Sequence, residues 1–122
     1  MNKLLNDKFN LEERTLKFSQ SLIVFLKTIK VNIFNENIIR QLLKSGTSVG
    51  ANYREANGAE SKKDFCHKIG ICKKESKESQ YWLDLLLSEY QNINDVSKYL
   101  KQEVHEYVLM FSKIFKSSKS KK

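Results

Sequence analysis

Proline is absent from all 122 residues, and only four glycines interrupt the chain. A sheet of many strands needs turns at short intervals, and proline and glycine are the residues that make them. A chain with so few breakers folds mainly as long helices. The apolar pattern agrees. Leu11, Thr15, Phe18, Leu22, Phe25 and Ile29 recur at alternating steps of four and three, which is one face of a helix. Ile38, Leu42, Ser45, Val49, Asn52 and Ala56 repeat the spacing. So do Phe65, Ile69, Cys72, Ser76, Ser79, Leu83, Leu86 and Tyr90, and then Leu100, Val104, Tyr107, Phe111 and Ile114.

Helix signals fall between these four segments. Asn35 is placed to cap the second, and Gly58 follows it. Ser61 with Asp64 resembles a capping box with aspartate in the usual glutamate position. Asn94 or Asp95 caps the fourth. The expected fold is all-α: a single domain over 1–122, an antiparallel up-down-up-down four-helix bundle. Its helices are expected at about 9–31, 36–57, 61–91 and 95–116, followed by a frayed basic tail at 117–122.

The stretch KSGTSVGANYREA, residues 44–56, tests this reading. A P-loop needs G-x-x-x-x-G-K-[ST] after a strand, whereas Gly46 and Gly50 are four apart, Ala51 follows, and helical periodicity runs through. Each glycine inside a helix costs about 1 kcal/mol relative to alanine. Two on one face let another backbone approach closely, which offsets that cost. With Ile39, Leu43 and Tyr53 they widen the apolar and small arc to roughly 220°, against ~100° for an ordinary surface helix. A helix buried over so wide an arc implies self-association, and leucine at either glycine is expected to disrupt packing or assembly. Asn52, Ser45 and Ser48 are expected to form a small hydrogen-bonded cluster. In the third segment Ile71, Trp82, Leu85 and His67 make a second patch with Glu75 and Glu78 interleaved, which suits a subunit interface.

The formal charge is +8, with residues 1–35 at +3 and 91–122 at +4. Such a balance suggests an acidic partner. Nineteen of the 22 basic residues are lysine, so compositional bias is the competing explanation. Two cysteines make no disulfide framework, and Cys66 and Cys72, six apart, point to different helix faces. The longest apolar run, at 22–26, is far too short to cross a bilayer. The N-terminus lacks the apolar region of a secretion signal. A reduced cytoplasmic protein with no membrane partner is expected.

The residues also carry a resemblance. QLLKSGTSVGANYREANGAESKKDF, followed by KKESKESQYWLDLL, resembles the four-helix-bundle proteins encoded by intervening sequences in bacterial 23S ribosomal RNA genes. Their superfamily includes the accessory variability protein of diversity-generating retroelements. The resemblance spans about residues 9–116 and is most specific at Ser45–Asn52, Glu55-Ala56, Ser61–Phe65, Lys74-Glu75, Glu78 and Tyr81–Leu83. It implies a homopentamer with basic surface suited to nucleic acid and no known catalysis. Cys66, His67, Gly70 and Cys72 depart from the usual pattern, which bears on local packing.

Enzymatic and metal chemistry are expected to be absent, with no cofactor. A di-metal bundle needs Glu-x-x-His on two helices, and this chain has only Asp64-x-x-His67. Cys66, His67 and Cys72 lack zinc spacing. Glu55, Glu75 and Glu78 read as solvated or salt-bridged, with Lys74 within reach of Glu78 at i,i+4. The expected function is binding of RNA or DNA through phosphates. The candidate contacts are Arg40, Lys44 and Arg54, then Lys62, Lys73 and Lys77, then Lys116, Lys119, Lys121 and Lys122. No aromatic platform is interleaved in sequence with the helix-3 or tail lysines, so backbone rather than base recognition is expected. The candidate assembly or close-packing residues are Gly46, Gly50, Tyr53, Ile71, Glu75, Glu78 and Trp82. The alternative is a scaffold for an unidentified protein partner, with lysine serving solubility.

Overall fold

The structure is a computed structural model that describes residues 3–89 and 94–120, with side chains described over 11–89 and 94–119. Four helices make up the described chain: α1 Lys3–Lys27, α2 Glu36–Asn57, α3 Lys62–Leu87 and α4 Asp95–Ser120. No strand occurs among the described residues. Tyr90, Lys121 and Lys122 lie outside them.

The helix ends follow local hydrogen bonding. α1 stops at Lys27, earlier than the apolar stripe suggests, because the Thr28 and Ile29 amides bond three residues back, to Phe25 and Leu26. Asn32 and Asn35 then brace the connection. Asn35 Oδ1 accepts from the Asn32 amide at 2.8 Å, and its Nδ2 donates to the Lys30 carbonyl at 3.1 Å. Asn35 therefore sits at the α2 cap position but spends its side chain on the loop instead of the helix. Ser61 caps α3 as expected, accepting from the Asp64 amide at 3.0 Å. α3 ends at Leu87, where the Ser88 amide and hydroxyl take the Asp84 and Leu85 carbonyls. Asn94, not Asp95, caps α4, with Oδ1 2.9 Å from the Ser97 amide. α4 continues through the expected tail to Ser120, and the Lys119 charge in its last turn favours the negative end of the helix dipole.

α3 packs against both α2 and α4, and α1 closes the arrangement against the same two helices. The core is the predicted stripes brought together: Phe18, Leu22, Leu42, Val49, Ile69, Leu83, Leu86, Leu100, Val104, Tyr107 and Phe111 are almost wholly buried. Each such side chain contributes about 1.5–3 kcal/mol on burial. Phe18 meets Tyr107 edge-on at 5.4 Å, and Tyr53 lies 5.6 Å from Phe111.

A partly buried ion network ties α1 to α4. Arg14 donates to Glu103 at 2.6 Å through Nη2 and at 3.2 Å through Nε, and reaches Glu106 at 2.9 Å. The Tyr107 hydroxyl shares its proton between Glu103 at 2.7 Å and the Arg14 carbonyl at 3.1 Å. Burial and the neighbouring carboxylate push the Tyr107 phenol well above its ordinary range. Glu103 is the most buried of the three charged groups, held by both Arg14 and the Tyr107 hydroxyl, so the network favours one seating of α1 on α4.

Candidate nucleic-acid interface

The glycines are occupied within one chain. A Cβ on Gly46 would collide with Leu22 Cδ2, and one on Gly50 would lie 2.9 Å from Thr15 Oγ1. The close approach is thus made by α1 of the same chain. Tyr53, buried against Phe111, lies inside as well. The wide arc of α2 therefore needs no second subunit at these three positions, because α2 is clasped between α1 and α3. Nor do Ser45, Ser48 and Asn52 make one cluster. Ser45 faces α3 and bonds to the Ser79 hydroxyl at 2.9 Å. Ser48 and Asn52 donate back along their own helix, to the Lys44 and Ser48 carbonyls.

Ile71, Glu75, Glu78 and Trp82 are half-buried along α3. Trp82 meets Tyr81 edge-on at 5.0 Å, and Tyr81 is exposed. Burial first, and Glu78 second, raise the Glu75 carboxyl above its ordinary range. Glu55 takes Lys68 of α3 at 2.6 Å. Lys74 and Glu78 do not form an ion pair among the described residues.

The candidate cations spread over three helices. Arg40, Lys44 and Arg54 are exposed on α2, Lys62 and Lys77 on α3, and Lys116 and Lys119 on α4, while Lys73 is half-buried. Lys121 and Lys122 lie outside the described residues. Of the candidates within them, Arg40 alone is in an ion pair, at 3.1 Å from Glu36. The tertiary structure also gathers what the sequence keeps apart. Lys73 of α3 and Lys119 of α4 stand over the ring of Phe115, at 5.2 and 5.3 Å from its centroid. Beside that ring a groove of about 540 Å³ is lined by Lys62, Lys63, Cys66, His67, Phe115, Ser118 and Lys119. The apolar stripe of the fourth segment ends at Ile114 and leaves out Phe115. Nothing in a linear pattern places it against the bare backbone of Gly70, 45 residues earlier.

The cysteines are both free. Cys72 is buried, and burial pushes its thiol up to about 12. Among the described residues, no group of three or more histidine, cysteine or acidic side chains is placed to hold a metal ion, and no helix is long and apolar enough to cross a membrane.

Fold and surface together define a small all-helical protein with cations exposed on every helix and a partly buried ion network between α1 and α4. The chain belongs to the 23S rRNA-intervening sequence protein family, which it matches over residues 8–113. It is also similar to a protein of unknown function from the S23 ribosomal protein family of Bacteroides thetaiotaomicron VPI-5482. The two are 31% identical and superpose with a TM-score of 0.72, over 87% of this chain and 98% of that one. No curated protein matches the sequence.

Proposed function

We propose that the protein is a non-enzymatic assembly that binds RNA or DNA through phosphate contacts. Its bundle is antiparallel, up-down-up-down, and five copies associate as a homopentamer in the cytoplasm. The observation that carries the reading is the set of exposed lysines and arginines that form no ion pair among the described residues. Lys44, Arg54, Lys62, Lys77, Lys116 and Lys119 offer their charge to solvent, and a pentamer multiplies the +8 of each chain fivefold. Such a field attracts polyphosphate with little sequence preference. The residue couplings support the topology. Gly46 meets Leu22 and Gly50 meets Thr15, Ser45 pairs with Ser79 and Glu55 with Lys68, and Asp84 pairs with Lys101 and Gly70 with Phe115. In each set one number rises as the other falls. Exposed apolar side chains on α1, Leu16 at 45% and Val24 at 63%, support self-association. The family resemblance implies the number five.

The test is fluorescence anisotropy with labelled structured RNA, single-stranded RNA and duplex DNA between about 50 and 300 mM salt. Affinity should fall linearly on log–log axes, with a slope that counts the phosphates neutralised. A second reading, a scaffold for a protein partner, is favoured by Ile33 and Phe34, which are 84% and 82% exposed between α1 and α2. Absence of binding to all three nucleic acids at about 50 mM salt would reject the first reading and favour this one.

A further inference from the structure

We propose that the groove between the start of α3 and the end of α4 holds one unpaired nucleotide, its base against Phe115 and its phosphate between Lys62, Lys63 and Lys119. The inference rests on the nucleic-acid reading above and makes it specific. The groove, about 540 Å³, is large enough for a nucleotide. Its wall is apolar: the Phe115 ring, the methylene stems of the lysines and Cys66. Its rim is cationic, and Asp64, the nearest acid in the first turn of α3, is not part of the lining. Lys119 lines the groove and its ammonium stands 5.3 Å over the ring, so it turns off the ring toward the phosphate when a base takes that face; Lys73, 5.2 Å over the ring, is not a lining residue. The ring is seated by Gly70, where a Cβ would lie 3.0 Å from Phe115 Cε1. An aromatic surface flanked by ammonium groups suits a planar base joined to a phosphate. A duplex offers the phosphate but keeps its bases stacked on one another. The groove therefore selects single strands and adds base contact to the backbone recognition expected from the sequence.

The experiment uses the full chain and four fluorescein-labelled probes of one length: single-stranded RNA, single-stranded DNA, an abasic phosphodiester oligomer and duplex DNA. Both base-bearing single strands should bind about 10-fold tighter than the abasic oligomer. Phe115→Leu should erase that difference and Phe115→Tyr should keep it, with the salt slope unchanged in both. Lys62→Glu with Lys63→Glu should reduce the slope. A wild-type readout guards against a variant that fails to fold: saturating single strand should slow alkylation of half-buried Cys66, while buried Cys72 stays unreactive throughout. Equal affinity for base-bearing and abasic oligomers, or unslowed alkylation of Cys66 at saturation, would overturn the groove and leave the phosphate-binding reading intact. Absence of binding to all four probes at about 50 mM salt would overturn both.

Discussion

An added Cβ at Gly50 would meet not only Thr15 Oγ1 but Thr15 Cβ at 3.0 Å and the Thr15 backbone carbon at 3.4 Å. Thr15 is buried, and its hydroxyl is held by the Leu11 carbonyl at 2.7 Å. It has no free rotation with which to retreat, so α1 itself would have to shift. At Gly46 the first obstacle is the far end of Leu22, a side chain that can change rotamer. Gly50→Ala should therefore lower stability by about 1–2 kcal/mol despite a gain of about 1 kcal/mol in helix propensity, and Gly46→Ala should cost less. Urea unfolding of the two variants checks the order; equal losses would show that α1 yields as readily as the Leu22 side chain. Glu75 gives a pH signature. Its carboxyl is raised above the ordinary 4.5, chiefly by burial. The folded state thus holds this proton more tightly than the unfolded chain does. The cost of ionising Glu75 is absent below both values and grows as pH rises through them. Glu75→Gln should raise the thermal midpoint at pH 7 and leave it nearly unchanged at about pH 3.5. A gain of the same size at both pH values would assign the effect to packing instead of charge.

At the scale of the element, each helix end is decided by one or two polar side chains. Ser61 has its oxygen on the Asp64 amide, and the first turn of α3 borders the groove through Lys62 and Lys63. Ser61→Ala should cost about 1 kcal/mol in chemical denaturation, with helical content by circular dichroism otherwise preserved. A loss below the error of the measurement would mean that solvent satisfies the freed amide. The ends also show what a linear pattern carries and what it does not. The Ser61 cap was legible because serine three residues before aspartate has one common use at a helix start. Asn35 was not, because its competing acceptors and donors, the Asn32 amide and Lys30 carbonyl, come into reach only when the loop closes. Periodicity overran the end of α1 for a related reason. Ile29 is buried although it lies beyond the helix, so burial continues where hydrogen bonding has already changed.

At the scale of the molecule, the pairing of elements is what remains to be exploited. Leu16 and Val24 are exposed on α1, which packs on α2 and α4 through the opposite side. If this surface carries assembly, Leu16→Lys with Val24→Lys should lower the sedimenting mass toward that of a single 14.3 kDa chain while leaving helicity unchanged. An unchanged mass would move the contact to another face. The sequence by itself determined the helical class, the four segments, most of the core and the candidate cations, because a 3.6-residue repeat and capping chemistry are local properties that a chain writes along its length. Only the tertiary structure decided which surfaces those segments share. Arg14 finds Glu103 across 89 residues of chain, α1 fills the space that two glycines on α2 leave open, and Phe115 comes to rest on Gly70 between two lysines. Those meetings depend on crossing geometry and packing volume between helices, and neither quantity is encoded by any residue alone.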